Sequence, residues 1–242
     1  MKVRHWIYFF VGFCTIWWIG SLFVNNIYIL PRPDMVFFRM LTLCQSFTFY
    51  QSIFMTFLRA SISILISFLL ACFFAYASLH CAWLSSLLEK IVLILRAVPN
   101  VTYVILLLFW VSRDTSVLIV SFLLLFPVIY QTLYDALKNI QSQWRDVLLL
   151  YPQDAFTTLT RVYLPLVKPA VRSSLINASS LAFKVGVMAE ILASVSTGIG
   201  RQMQLARLDV ELTTVMAWTF WLLIFVFLFD FVVKQVIHYI FR

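Results

Sequence analysis

Six charged residues, Arg59, Arg96, Lys184, Glu190, Asp230 and Lys234, stand within or beside long apolar runs of this sequence. An ion at the centre of a membrane helix costs about 2.5–3.5 kcal/mol on insertion scales, so it normally has a partner or faces water. Asp230 and Lys234 are four positions apart, on one helix face, and are expected to pair with each other. Glu190 follows Lys184 by six positions, about 120° round a helix of 3.6 residues per turn, so the two cannot simply neutralise each other. Lys184 is therefore expected either to face a water-filled pathway and attract an anionic substrate, or to pair between helices, with a Glu190 as one candidate partner. Arg59 and Arg96 lie nearer a span end than its centre and are expected to snorkel to opposite interfaces. Lys184, Glu190 and Arg59 are the candidate pathway residues. No GxxxxGK[ST] phosphate loop is present, so ATP hydrolysis by that route is not expected of this chain. His5, His80 and His238 are scattered near span ends, and no Ser–His–acid set, metal cluster or pair of carboxylates stands out. The chain therefore reads as non-enzymatic, with no catalytic, cofactor or metal residues.

The elements that must position these charges follow from composition. Of 242 residues, 63% are hydrophobic and 12% charged, where a soluble domain would be roughly a quarter charged. So few charges cannot coat a water-facing surface, and 24 phenylalanines suit a lipid-facing one. The net charge of +8 forms no basic stripe, which argues against nucleic acid and for a topology signal. Cys14, Cys44, Cys72 and Cys81 lack the spacing of a disulfide or metal framework and read as small apolar fillers.

Six apolar runs predict six transmembrane helices at about 6–28, 51–77, 91–111, 116–133, 173–193 and 213–239. The first run is too long for the apolar core of a signal peptide and lacks a small-residue cleavage site. A β-barrel would need many alternating strands, and nothing here alternates. The basic residues Lys2, Arg4, Lys90, Lys138, Arg145, Arg161, Lys168, Arg172 and Arg242 fall on the side of the termini. Arg32, Arg39, Arg113, Arg201 and Arg207 fall on the other. That bias places both termini in the cytoplasm. Gly198 and Gly200 are expected to make a turn in the outer loop after the fifth span.

Between the fourth and fifth spans lies a loop, 135–172, too polar to cross a bilayer. Two short helices fit it, one ending at Tyr151 and one over 153–163, with Pro152 between them and Pro165 and Pro169 stopping the second. Val147–Tyr151 is too apolar for water, and Phe156, Leu159, Val162 and Tyr163 recur at helical spacing, so a docking partner is expected.

This loop resembles the cytoplasmic signature of bacterial ABC-importer permeases, EAA-x3-G-x9-I-x-LP. Asp146 takes the Glu place, Val147 and Leu148 the Ala places and Pro152 the Gly place, while Val162, Tyr163, Leu164 and Pro165 close the motif at the same spacing. The segment from Ala182 to Arg207 is similar to that of the branch serving taurine, aliphatic sulfonates, nitrate and thiamine precursors. Leu30–Pro31 with Pro33, Thr56–Arg59 and Arg96–Asn100 also fit that branch, whereas its second-span glycines are replaced here by Leu, Phe and Ala.

The resemblance implies an all-α type I importer permease, one membrane domain over 1–242, in the bacterial inner membrane. It implies ATPase coupling through Asp146, Val147, Leu148, Tyr151, Pro152, Gln153, Asp154, Phe156, Leu159, Val162, Leu164 and Pro165. The implied partners are a cytoplasmic ABC ATPase dimer that binds ATP and Mg, a second permease copy, a periplasmic or lipid-anchored substrate-binding protein and membrane lipid. A membrane enzyme would gather polar residues at one depth, and these are not so gathered. A membrane scaffold or assembly subunit is the remaining alternative.

Overall fold

The computed structural model describes residues 2–151 and 153–240. Pro152 and Arg242 lie outside the described residues, as do the side chains of Lys2 and Arg4. Every regular element among them is helical: α1 (Lys2–Val24), α2 (Pro33–Leu43), α3 (Phe47–His80), α4 (Ala82–Ala97), α5 (Asn100–Leu107), α6 (Arg113–Gln143), α7 (Arg145–Leu150), α8 (Ala155–Thr158), α9 (Leu164–Ala193), α10 (Ile199–Leu208) and α11 (Leu212–Ile240). A π-helical turn, Leu159–Tyr163, joins α8 to α9.

Among the described residues, four helical stretches are long and apolar enough to cross a membrane: Phe47–His80, Arg113–Gln143, Phe156–Ala193 and Leu212–Tyr239. The run expected at 6–28 folds as α1, which packs chiefly on α2 and stacks Trp17 on Phe220 of α11. The run expected as one span over 91–111 is instead a broken pair, α4 and α5, bent by 94°. Pro99 is the cause. It drives Val98 out of the helical region, to φ −77° and ψ 131°, and then opens α5.

The expected loop 135–172 is shorter than its polarity suggested. α6 continues to Gln143, and α9 begins at Leu164. Pro165 and Pro169 therefore do not stop a helix; both lie in α9. A proline ring collides with the carbonyl four residues earlier. The wide π turn immediately before Pro165 opens the backbone where that collision would fall.

The central layer is α3, α6 and α9. α3 can approach its neighbours closely because its buried face is small at every turn: Ser52, Thr56, Ala60, Ser63, Ser67, Ala71, Ala75 and Ser78. α6 fills the space with Phe126, Tyr130 and Tyr134, stacked in one column. Tyr130 hydroxyl meets Ser78 Oγ at 3.1 Å, so the column is polar only where it finds a partner. Ser46 and Ser112 cap α3 and α6 by accepting the N–H groups of Phe49 and Thr115. α11 and α10 cover one side, and large apolar side chains such as Phe23, Phe73, Phe109 and Phe227 face outward.

Candidate functional site

The helix directions bring three distant parts of the sequence to one end of the bundle. α6 starts there at Arg113, α9 ends there at Ala193, and α10 begins a few residues later. Arg59, on α3, donates through Nη1 to Glu190 Oε1 at 2.8 Å and to the Thr197 carbonyl at 2.7 Å. Its Nη2 donates to Asp114 Oδ1, the first-turn acid of α6. Thr56, one turn before Arg59, donates to the Glu190 carboxylate at 2.9 Å and accepts the Ile199 N–H at 2.9 Å. Gly200 N–H donates to Glu190 Oε2 at 2.9 Å, so the positive N-terminal end of α10 also points at this acid. Arg113 and Ser196 tie the 194–198 turn down further, through the Ser194 carbonyl and Asp114 Oδ2.

Glu190 is 0% exposed and Arg59 5%. Arg59 therefore does not snorkel to an interface: its guanidinium is enclosed by two carboxylates and a carbonyl, a better set of acceptors than the membrane surface offers. Gly198 and Gly200 do more than turn the chain. Gly198 has φ +146°, and a Cβ there would lie 2.6 Å from Glu190 Oε2. A Cβ on Gly200 would lie 2.6 Å from both Glu190 Cβ and the Val187 carbonyl. Only glycine lets the turn close over the carboxylate.

The expected pairing of Asp230 with Lys234 is not found. Asp230 accepts instead from the Ser179 hydroxyl at 2.8 Å and from the Ser180 hydroxyl. α11 presents Asp230 to α9, where the two serines stand, and Lys234 remains on an exposed position. Arg96 is exposed and donates to the Pro127 carbonyl at 3.0 Å. Lys184 is exposed, with no partner among the described residues. The Glu190 of its own chain is already taken by Arg59.

At the opposite end, α7 buries none of its residues. Asp146 and Gln153 are exposed, and so are Val147, Leu149, Leu150, Tyr151 and Phe156, while Leu148, Leu159 and Val162 are half-buried. Leu164 and Pro165 are exposed on the first turn of α9, and Tyr163 is buried at 4%. Asp154 caps α8, accepting the Thr157 N–H at 3.0 Å. The Thr157 hydroxyl and N–H together hold its carboxyl below the usual carboxylate range. Because the shift is downward, the cap is intact above the ordinary carboxylate pKa and is lost as pH falls through the lowered value.

Residues 63–242 match the model of the binding-protein-dependent transport system inner membrane component family. The chain belongs to this family. It is also 28% identical over 188 residues to a probable ABC transporter permease protein of Haemophilus influenzae, covering 76% of each chain. It is thus an ABC transporter permease component, all-helical, with the multi-pass character of an inner-membrane protein. In this permease the match begins within α3, after Arg59, so it includes Asp114, Glu190, Gly198 and Gly200 of the buried clamp. Arg59 and Glu190 were legible as intramembrane charges. Thr56 and Asp114 were not, since a threonine in an apolar run and an acid in a polar turn carry no signal of a shared partner.

Proposed function

We propose that this permease is the membrane-spanning subunit of an ATP-driven importer, working as a pair with a second copy of itself. A cytoplasmic ATPase dimer would bind ATP and Mg and dock on the loop at 144–163. An external binding protein would deliver the solute. The observation that carries this reading is the apolar surface of that loop: Leu149 and Leu150 on α7, Tyr151 just after it and Phe156 on α8 are each at least 70% exposed. Such a patch belongs against a partner. We assign ATPase coupling to Asp146, Val147, Leu148, Tyr151, Pro152, Gln153, Asp154, Phe156, Leu159, Val162, Leu164 and Pro165. Closure of the ATPase dimer would move this segment, and because it runs into α9 through the π turn, α9 would move with it.

Lys184 is the pathway charge in this reading. Arg59 and Glu190, closed on each other, hold the outer end of that pathway. The solute is a small anion or vitamin precursor of the sulfonate, taurine, nitrate or thiamine-precursor kind, a class supported by resemblance over Ala182–Arg207. Both termini lie in the cytoplasm. Purification of the chain from its native membrane tests the assignment: an ABC ATPase should copurify, and the binding protein should stimulate its ATP hydrolysis. Recovery of the intact chain with no ATPase would instead favour a scaffold subunit. Ligand screening against the binding protein identifies the solute.

A further inference from the structure

α9 carries a row of polar side chains along a face that the described residues leave largely exposed. Ser173, Asn177, Ser180 and Lys184 follow one another by four, three and four positions, so they lie in one line along the helix. Ser173, Asn177 and Lys184 are exposed, and Ser180 is half-buried. Lys184 is nine residues from the end of α9 at Ala193, about 14 Å at 1.5 Å per residue. That is close to the middle of a hydrocarbon layer about 30 Å thick. Neither Lys184 nor Asn177 has a side-chain partner among the described residues. A row of this kind cannot rest against acyl chains without leaving a lysine ion and an amide unsatisfied.

A second charge stands beside the row. Asp230 of α11 is half-buried and takes hydrogen bonds from Ser179 and from Ser180, the residue one turn before Lys184. Two neutral hydroxyls orient its carboxylate without cancelling its charge. The Ser180 proton is already committed to Asp230, so among the row Asn177 and Lys184 are left as donors. Lys234, one turn on from Asp230 along α11, makes no ion pair with it among the described residues. A simple anion drawn to Lys184 would also meet the carboxylate held at Ser180, one helical turn before Lys184 on α9. A small solute with one anionic and one cationic group would satisfy both.

Resting on the permease reading above, we infer that this face of α9 walls a water-filled path and that its ligand is a small zwitterion, with the anionic end at Lys184 and the cationic end at Asp230. The test uses the full chain with Cys14, Cys44, Cys72 and Cys81 replaced by serine, in native membranes. Asn177→Cys is the reporter, and Phe227→Cys, on the outward apolar face of α11, is the control. Anionic and cationic methanethiosulfonate reagents are compared by their rates of reaction.

The expected result is that Asn177→Cys reacts with both reagents at similar rates while the control reacts with neither. Adding Lys184→Met should then favour the cationic reagent several-fold, and adding Asp230→Asn should favour the anionic reagent several-fold. No reaction at Asn177→Cys would overturn the path. A rate ratio that moves with Lys184→Met but not with Asp230→Asn would overturn the zwitterion and leave an anion site. Should Asp230→Asn fail to accumulate, Ser180→Ala, which keeps the carboxylate charged and removes one of its donors, replaces it. The rate ratio should then move towards the cationic reagent, and no movement would overturn the zwitterion. ATPase copurification on the same membranes is independent of these rates, so the inference can fail while the permease reading stands.

Discussion

Glu190 holds its charge inside the protein with no exposure, and every acceptor site it offers has a named donor: the Arg59 guanidinium, the Thr56 hydroxyl and the Gly200 N–H. Removing one member of a buried pair strands the other, which costs about 3–5 kcal/mol. Glu190→Ala should therefore lower the thermal unfolding midpoint in detergent by far more than Asp114→Asn. Asp114 has a side chain 48% exposed, and solvent screens its share of the ion pair to about 1 kcal/mol or less. Equal losses from the two variants would show that the burial difference carries no energy. Gly200→Ala makes a sharper test, because the intruding methyl meets the Val187 carbonyl, a backbone atom in the body of α9. Overpacking of this kind costs about 1–3 kcal/mol, and an unchanged midpoint would mean that the turn can shift away.

At the scale of the element, two features decide how the helices work. The first is the small-residue face of α3, where Ser67 is 0% exposed and its hydroxyl has no hydrogen-bond partner among the described residues. Ser67→Ala should leave the melting midpoint unchanged or raise it, since an unsatisfied buried hydroxyl goes. Ser67→Leu should lower it by separating α3 from its neighbours. The second feature is the loop between α6 and α9. Phe156 is 73% exposed, so Phe156→Asp should cut recovery of the copurifying ATPase while leaving the melting midpoint of the isolated chain unchanged. A fall in both would assign Phe156 to the fold instead of a docking surface. The helices themselves were legible as apolar runs, and so was the loop, because its charges interrupt them. Helix ends were less so. Pro165 and Pro169 read as stops, yet both lie in α9; a π turn relieves the strain at Pro165, and no residue type announces a π turn. Pro99 announced a break but not its 94° angle, which is set by what α4 and α5 pack against.

For the whole molecule, the two functional ends are fixed relative to each other by α9, whose 30 residues separate the loop at 144–163 from the clamp at 190–200 by about 45 Å. What was legible here was the opposition of the two ends and not the clamp itself, since Arg59, Asp114 and Glu190 are drawn together from three different helices. Whichever side of the membrane holds the loop, the clamp and α10 lie on the other. The side is proposed from the charge bias: Lys138, Arg145, Arg161, Lys168 and Arg172 cluster at the loop end, against Arg113, Arg201 and Arg207 at the clamp end. Loops richer in Lys and Arg stay in the cytoplasm. α11 then returns from the clamp end to the loop end, so Ile240 lies at the loop end. A fluorescent protein fused after the last residue should therefore glow, and alkaline phosphatase at the same place should be inactive. Inserted after Asp209, between α10 and α11, the two reporters should exchange behaviour. An active phosphatase at the C-terminus would invert the molecule and put the exposed Leu149, Leu150, Tyr151 and Phe156 beyond the reach of any ATPase.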